Sequence, residues 1–304
     1  PEERAKSIIL EPSREGRSRT NDLIRSALKE EGTLGDEIRV QRLSSVDSTE
    51  AERRLTGTYQ DGRIVRFARS FKREGIKQGA YYEVVGREGQ DVLLKLHGSD
   101  EKADFIRFSP ERYSAKNVQI FSLTESGLAV GEKIVWRDND KPSGRLNNDW
   151  ATVEKIEGTT ATFRLANGKT AEFDMSELGN SHWDHGYAMT VHAAQGKTAQ
   201  NVFVHAETNR KALLNTEQFY VQISRAKNGV YLYTDSREGL IKAVEQRTGQ
   251  KQAAKESRFQ DLAPLDHLMD KLWDPVMPQR EQQKRQESPQ QNQGRDRGGI
   301  ELSR

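Results

Sequence analysis

Cysteine is absent from this chain of 304 residues. Its absence excludes a disulfide scaffold, catalysis by a thiolate, and zinc or iron–sulfur sites that need cysteine ligands. The chain also has no apolar run that approaches the roughly 20 residues of a membrane-spanning helix, so the sequence predicts no such span. Neither an initiator methionine nor an apolar signal region stands at Pro1. We therefore expect a piece of a longer protein, in a setting compatible with the cytosol.

Apolar residues are scarce for a chain of this length. Only 34% of the residues are hydrophobic and 31% are charged, so we expect a packed core along part of the chain only. The length itself predicts two or three compact units. The 48 basic residues almost balance the 46 acidic ones and leave a net charge of +2. Any contact with a nucleic acid must therefore come from local basic patches.

Strand and helix signals alternate at the start of the chain. The apolar run Ser7–Leu10 is stopped by Pro12, which predicts a buried strand. A polar loop with three arginines follows. Thr20 or Asn21 can then cap a helix that Gly32 ends. Strand, basic loop and helix together predict one unit of an α/β sheet.

The same alternation returns after His182. Apolar and helical patterns there predict two further strands and two helices, at residues 201–205, 216–226, 229–233 and 237–247. We therefore expect one α/β domain with a parallel sheet, built from residues 1–45 and 180–250 and interrupted by an insert.

Short alternating runs separated by turn residues fill residues 60–179. This pattern predicts an inserted region of small antiparallel β-barrels. A weak internal repeat relates residues 79–98 to residues 149–168, and Asn167-Gly168 is a strong hairpin signal. We predict two tandem modules, with chance similarity between short strands as the alternative.

The composition changes again near the end of the chain. Residues 251–278 contain leucines and a tryptophan at helical spacing, which indicates a docking helix or a helix that packs on its own domain. Residues 279–304 are rich in Gln, Arg, Ser and Gly. Such a composition predicts a disordered tail, because it buries too little apolar surface to offset the entropy of ordering.

The triplet Gly196-Lys197-Thr198 suggests a phosphate loop, but the required earlier glycine is replaced by Val191. No apolar strand ends in an acidic pair that could hold Mg²⁺, so this chain alone offers no complete ATP site and no metal site. Thr190, His192, Gln195 and Thr198 are nevertheless polar groups among small residues, a composition that allows close approach of a ligand. An ordinary loop with a hydrogen-bonded histidine is the alternative.

A second polar segment follows further on. Arg225 comes after an apolar stretch and next to Ser224. A guanidinium has a permanent charge and a planar set of donors that suits a phosphate, and an arginine from a neighbouring domain can stabilise a transferring phosphoryl group. An arginine on a helix surface in a salt bridge is the alternative.

Taken together, the two segments resemble motifs V and VI of superfamily 1 helicases of the RecD-like branch. The matching stretches are TVHAAQGKT at residues 190–198 and YVQISRAK at residues 220–227, and PSREGR at residues 12–17 is similar to the motif IV region. The inserted β region is also a feature of this branch. WRDND at residues 136–140 and WDHGY at residues 183–187 are most similar to the helicase part of conjugative relaxase–helicases of the TraI/TrwC type.

The resemblance implies the second of two RecA-like domains, which clamp ATP and Mg²⁺ between them and move along single-stranded DNA. The phosphate loop and the magnesium ligands would belong to an upstream domain, so this chain alone is expected to be inactive. Arg225 and Gln195 would be catalytic. The implied nucleotide contacts are Arg225, Gly196, Gln195, Arg14 and Arg17, and the implied DNA contacts are Thr190, His192, Tyr187 and Thr198.

The resemblance further implies a cytoplasmic bacterial protein that unwinds plasmid DNA from 5′ to 3′ during conjugation, with its own transfer to a recipient cell as an open alternative. Its partners would be single-stranded DNA and the upstream RecA-like and relaxase domains. Two alternatives remain open. The chain could be a recognition module that the coupling protein of a type IV secretion channel binds, or an inactive helicase fold kept for binding single strands.

Single strands are bound through backbone-directed donors and stacking surfaces. The aromatic candidates for stacking are Trp136, Trp150, Trp183 and Tyr187. Core packing is the preferred interpretation for Trp136 and Trp150.

Overall fold

The computed structural model describes residues 6–99, 105–113, 115–194, 196–208 and 215–245. The predicted docking helix at 251–278, the predicted tail at 279–304 and Gln195 lie outside the described residues.

Three helices and six short 3₁₀ turns are present in these ranges. The helices are α1 (Arg14–Glu30), α2 (Thr216–Ile223) and α3 (Arg237–Glu245). The 3₁₀ turns are Glu52–Arg54, Thr56–Thr58, Lys72–Glu74, Pro110–Arg112, Ala115–Asn117 and Leu178–Asn180.

The strands form three sheets. They are β1 (Ser7–Leu10), β2 (Glu37–Ser45), β3 (Ile64–Phe67), β4 (Tyr81–Glu88), β5 (Asp91–Leu96), β6 (Ile106–Phe108), β7 (Val118–Ala129), β8 (Lys133–Trp136), β9 (Trp150–Glu157), β10 (Thr160–Leu165), β11 (Thr170–Asp174), β12 (Trp183–His185), β13 (Ala188–Met189), β14 (Ala199–Ala206) and β15 (Ala226–Thr234).

A parallel sheet joins the two ends of the described chain. Its strand order is β13-β1-β14-β15, and every pair is parallel. Leu10, Val202 and Val204 are fully buried in its core, where Phe219 of α2 and Leu240 of α3 pack against them. The expected α/β domain with an interrupting insert is therefore present.

Helix α1 begins earlier than the sequence indicated. Ser13 is its N-cap, and its hydroxyl oxygen accepts a hydrogen bond from the Gly16 amide at 2.9 Å. The predicted caps, Thr20 and Asn21, lie inside the helix. Ser13 has the extended backbone conformation that an N-cap needs, with φ −99° and ψ 150°, and its short side chain supplies the acceptor. The motif IV arginines therefore lie on a helix rather than on a loop.

Two antiparallel sheets form the insert. The first has the strand order β2-β7-β3-β4-β5-β6 and the second has the order β11-β10-β9-β8-β12. Because β2 pairs with β7 and β12 pairs with β8, the antiparallel part extends from Glu37 to His185, beyond the predicted limits of 60 and 179. Among the described residues no ladder joins the outer strands of either sheet, so closure into barrels stays a prediction.

The two inserted sheets repeat one pattern. Strands β3, β4 and β5 have counterparts in β8, β9 and β10, each 69 residues further along the chain. The isolated bridge between Phe71 and Ile76 recurs between Asp140 and Arg145 at the same offset. The strand order agrees with the internal repeat that the sequence indicated, but the structural offset is 69 residues, one fewer than the offset between residues 79–98 and 149–168.

Asn21 fastens helix α1 to the point where the chain returns from the insert. Its side-chain amide donates to the His185 carbonyl at 2.8 Å, and its side-chain oxygen accepts from the Ala188 amide at 2.7 Å. The residue is only 1% exposed. Both backbone groups would lack a protein partner in a buried setting without it, so Asn21 sets the position of β13 beside β1.

Glu132 forms a second buried connection at the same junction. Its carboxylate accepts from Arg25 Nε at 3.0 Å and from the Tyr187 hydroxyl at 2.8 Å, and His185 Nδ1 lies 3.1 Å away. Burial would raise the Glu132 pKa, but the contacts with His185, Tyr187 and Arg25 outweigh it and hold the pKa below its ordinary value. Helix, insert and returning chain therefore meet at one ionised carboxylate.

Replacing Asn21 by alanine is expected to destabilise the protein by about 2–4 kcal/mol, because two buried backbone groups lose their partners. Urea unfolding followed by tryptophan fluorescence measures the change. Ser18→Ala, at an exposed position of the same helix, is the control and should stay within about 0.5 kcal/mol of the parent. Equal effects of the two substitutions would contradict the assigned role.

Glu132→Gln is expected to lower stability at pH 7 by about 3 kcal/mol, since Arg25 loses its buried partner. A carboxyl whose folded pKa is depressed contributes stability above its unfolded pKa, about 4.3, and loses it as the pH falls further. The parent should therefore lose more stability than Glu132→Gln when denaturation is compared at pH 6 and pH 3. Glu154→Gln, at an exposed position, should keep the pH dependence of the parent.

Candidate functional site

The parallel sheet presents the predicted site residues at two opposite edges. All its strands run in one direction, so their carboxyl ends form one edge and their amino ends the other. Strand β14 has eight residues, and a strand rises about 3.3 Å per residue, which separates the edges by about 20 Å. Each predicted residue can therefore be placed at one edge.

The carboxyl edge is built around a buried carboxylate, Glu11. It follows β1, accepts from the Ser13 amide and hydroxyl, and lies 2.5 Å from His205 Nδ1. A β-carbon at Gly16 would meet Glu11 Oε1 at 2.4 Å, so a larger residue there would displace the Glu11 carboxylate. This network rigidly places the first turn of α1 beside the end of β13.

Thr190 and His192 lie at this carboxyl edge, directly after β13. Thr190 is half-buried, and its hydroxyl oxygen accepts from the Ala193 amide at 3.4 Å. His192 is exposed. The Ala194 amide donates to the Thr190 carbonyl at 3.1 Å, which makes a turn that carries the chain away from the edge. Two polar side chains are thus held where an external ligand can reach them.

The other half of this loop reaches the amino edge. Gly196 has a φ of 79°, and nothing lies within 4 Å of the position that a β-carbon would take. Thr198 is exposed and directly precedes β14. Residues 190–198 therefore connect the two edges of the sheet, although Gln195 itself lies outside the described residues.

Arg225 lies at the amino edge, between α2 and β15. Its Nε donates to the Val221 carbonyl at 3.0 Å and its Nη2 to the Ser224 hydroxyl at 3.3 Å. The Arg225 carbonyl accepts from the Ala199 amide at 2.9 Å, which ties the residue to the end of the 190–198 loop. The guanidinium is thus oriented by its own helix, and its Nη1 has no hydrogen bond or ion pair recorded with the described residues.

Arg14 and Arg17 do not join Arg225. They follow the carboxyl end of β1, whereas Arg225 precedes the amino end of β15. Arg17 pairs with Asp184 at 2.7 Å, and Arg14 pairs with Asp47 at 3.2 Å on the surface. The structure therefore does not gather the motif IV arginines and the motif VI arginine at one place.

Tyr187 is engaged inside the molecule. Its hydroxyl donates to Glu132, and its ring stacks on His185 with 13° between the planes. Burial, followed by the Glu132 charge, raises the Tyr187 pKa. Trp136 and Trp183 are each 1% exposed. The Trp136 and Trp183 rings are therefore unavailable as stacking platforms in this conformation, which corrects the interpretation of Trp183. Tyr187 is half-buried, and its contact with DNA stays a prediction.

Sequence reasoning missed the charged junctions. Asp184 receives Arg17, Arg42 and Arg137 at 2.7, 3.0 and 3.6 Å. Burial, with Arg17 nearby, lowers the Arg137 pKa to about 10. In a single sequence, a residue that forms a buried ion pair cannot be told from a surface charge. Asp184 offered a signal through its place inside the WDHGY stretch, which carries part of the resemblance.

The described part of the chain shows two absences, a metal-binding cluster and a membrane-spanning helix. It holds no group of three or more histidine or acidic side chains placed to bind a metal. None of its helices is both long and apolar enough to cross a bilayer. The described residues thus offer an arginine for an anion but no ligand set for Mg²⁺.

Residues 185–233 match the family model of the UvrD-like helicase C-terminal domain. This segment runs from the last residue of β12 into β15 and contains the 190–198 loop and Arg225. The match covers a minor part of the chain, and it coincides with the stretches that resemble motifs V and VI.

The multifunctional conjugation protein TraI of Escherichia coli is 27% identical over 251 residues, and TraI of strain K12 is 28% identical. Each alignment covers 80% of the present chain and 14% of TraI, so this chain corresponds to a small part of that protein.

Solved structures of Pif1 helicases show a weaker likeness. The Bacteroides Pif1 structure bound to single-stranded DNA is 15% identical, with a TM-score of 0.32 over 76% of this chain and 40% of Pif1. The Candida albicans Pif1 structure is 13% identical, with a TM-score of 0.29 over 77% of this chain and 46% of Pif1. The resemblance that motifs V and VI indicated is confirmed by the sequence comparisons: the chain is similar to the multifunctional conjugation protein TraI, and its residues 185–233 are similar to the C-terminal domain of UvrD-like helicases.

Proposed function

We propose that the chain is the second RecA-like motor domain, with β inserts, of an ATP-dependent helicase that acts on single-stranded plasmid DNA during conjugative transfer. The observation that carries the proposal is the loop at residues 190–198. It begins at the carboxyl edge with Thr190 and His192 and ends at the amino edge beside Arg225. One continuous segment thus joins a candidate DNA contact to a candidate nucleotide contact.

Arg225 would stabilise the negative charge that develops during phosphoryl transfer to water. Its guanidinium is held by Val221 and Ser224, so its orientation is set before a ligand arrives, which is the condition for electrostatic stabilisation. Bound ATP with Mg²⁺ supplies the phosphoryl group and its counter-charge. The phosphate loop and the magnesium ligands would come from an upstream domain, which makes this chain alone inactive.

Thr190 and His192 would contact the DNA backbone. Gly196, with Gln195, would couple the nucleotide at the amino edge to the DNA at the carboxyl edge. Thr198 lies at the amino edge and suits that edge better than a DNA contact. Arg14 and Arg17 lie at the carboxyl edge, which favours a place near DNA over one near the nucleotide. We retain the 5′ to 3′ direction and the bacterial cytoplasm from the resemblance.

The partners in this proposal are single-stranded DNA and the upstream RecA-like and relaxase domains of a longer chain. The coupling protein of a type IV secretion channel is a further candidate partner for the inserts. The similarity to TraI, named as a conjugation protein, supports these assignments.

Arg225→Ala should lower single-strand-stimulated ATP hydrolysis by about 10³-fold or more, as the loss of an arginine finger does. The measurement uses this chain fused behind an upstream motor domain, and the unfused chain should show no turnover above background. Lys227→Ala removes an exposed cation two residues away and should leave the rate within about twofold of the parent. Robust hydrolysis by the unfused chain, or by the Arg225→Ala fusion, would contradict the proposal.

Thr190→Ala and His192→Ala should each weaken binding of a single-stranded oligodeoxynucleotide by about fivefold, the value of one hydrogen bond. Fluorescence anisotropy of a labelled oligo-dT measures the affinity. His97→Ala, on the first inserted sheet, provides a control of the same chemistry. A larger loss for His97→Ala than for the two loop variants would place the DNA elsewhere.

A further inference from the structure

Lys197 connects the 190–198 loop to the second inserted sheet. Its ammonium donates to the Asn148 carbonyl at 2.9 Å and lies 4.1 Å from the centre of the Trp150 ring. Lys133 Nζ lies 3.9 Å from the same ring centre. Two cations of different segments therefore share one aromatic ring at the boundary between insert and loop.

This arrangement is electrostatically unfavourable by itself. Burial lowers the Lys133 pKa to about 8, with a further contribution from the nearby charge of Lys197. Burial also lowers the Lys197 pKa, while Asp149 raises it and Arg137 lowers it. Cation–π attraction to Trp150 offsets part of this cost.

The internal repeat shows that the contact is special to the second sheet. At the offset of 69 residues, Lys133 corresponds to Ile64, and Trp150 corresponds to Tyr81. Tyr81 is contacted by a cation of its own sheet instead: Arg66 lies over the ring at 5.6 Å and donates to the hydroxyl at 3.1 Å, and the hydroxyl also lies 2.8 Å from His182 Nε2. The residues that hold Lys197 thus differ from their counterparts in the first sheet, although the strands that carry them have the same bounds.

Asn148 differs from its counterpart in the same way. Its φ is 68°, and it is the one non-glycine residue with a positive φ in the described part of the chain. Its counterpart Gly79 has a φ of 75° without a side chain. Asn148 uses its side-chain oxygen to accept from Arg137 Nη1 at 2.9 Å and its carbonyl to accept from Lys197. A glycine in this left-handed turn could still accept from Lys197 through its carbonyl, but it could not accept from Arg137.

The contact borders the amino edge of the parallel sheet. Trp150 and Thr198 line a cavity of about 210 Å³ together with Lys6 and Lys227. The Lys197 amide donates to the Ala194 carbonyl at 3.0 Å, so movement of the Lys197 side chain acts directly on the turn of the loop. A displacement of the second inserted sheet would reach the loop by this route.

We propose that Lys197 is a positioning residue that fastens the 190–198 loop to the second inserted sheet through Asn148 and Trp150, so that the insert sets the placement of the loop between the two edges. The expected effect of Lys197 on ATP hydrolysis rests on the proposed function. Its effect on the loop requires neither nucleotide nor DNA and can be measured on the full chain as it stands.

Amide hydrogen exchange tests the placement of the loop. In Lys197→Met, the amides of Ala194 and residue 197 should exchange about tenfold faster or more, since a charged hydrogen bond that holds the turn is lost. Lys197→Arg should restore most of the protection. Lys169→Met removes an exposed lysine from a hairpin of the same sheet and should change nothing. Parental protection in Lys197→Met would overturn the proposal.

The pKa of the Lys133 ammonium provides a second measurement. It responds to the charge of Lys197, whereas a purely steric role of the Lys197 side chain would leave it unchanged. The Lys133 pKa, followed by NMR of the ¹³C-labelled lysine, should rise in Lys197→Met because a neighbouring charge is removed. It should stay near 8 in Lys197→Arg and in Asn148→Gly, where the charge remains. An unchanged Lys133 pKa in Lys197→Met would show that the two lysines do not share the ring.

Hydrolysis by the fused protein then tests the consequence. Lys197→Met should lower the ratio of single-strand-stimulated to basal hydrolysis by about fivefold, and Lys197→Arg should recover it. An unchanged ratio together with a loosened loop would overturn the positioning role. A parental fusion that hydrolyses no ATP would instead remove the proposed function, while the exchange and pKa results would still decide whether the insert holds the loop.

Discussion

The buried carboxylate of Glu132 is the contact on which the remaining structure depends. The chain leaves the parallel sheet after α1, forms two antiparallel sheets and returns to the parallel sheet at β13. Glu132 holds Arg25 from the departing helix and Tyr187 from the returning segment. Since an unpaired charge at this depth would be strongly destabilising, the departure and the return are constrained to meet. Asn21 adds neutral hydrogen bonds to the same junction.

This constraint explains why a long insert leaves the α/β domain intact. With β13 held beside β1, the loop that follows must start at the carboxyl edge, and β14 must begin at the amino edge. The same geometry lets one loop touch both edges. The helicase proposal follows from this connection between the two edges of the sheet. The Lys197 contact adds the second inserted sheet as a third element that touches the loop.

The sequence predicted those features that depend on local patterns. Ser7–Leu10 has the predicted bounds, and the hairpin at Asn167-Gly168 and the later strands lie where alternation and turn residues indicated. Polar contacts between distant segments were not predictable, because Glu132, Asp184 and Lys197 resemble surface charges until the fold brings their partners together. The start of α1 was missed because the polar, arginine-rich stretch after Ser13 was assigned to a loop, and only Thr20 and Asn21 were considered as caps.

The most direct test of the account is hydrogen-exchange mass spectrometry of the fused protein, with an ATP analogue and a single-stranded oligonucleotide added separately. The account predicts that the analogue protects segments around residues 196–199 and Arg225, and that the oligonucleotide protects the segment around Thr190 and His192. Protection of the same edge by both ligands, or no protection in the 190–198 loop with either, would contradict it.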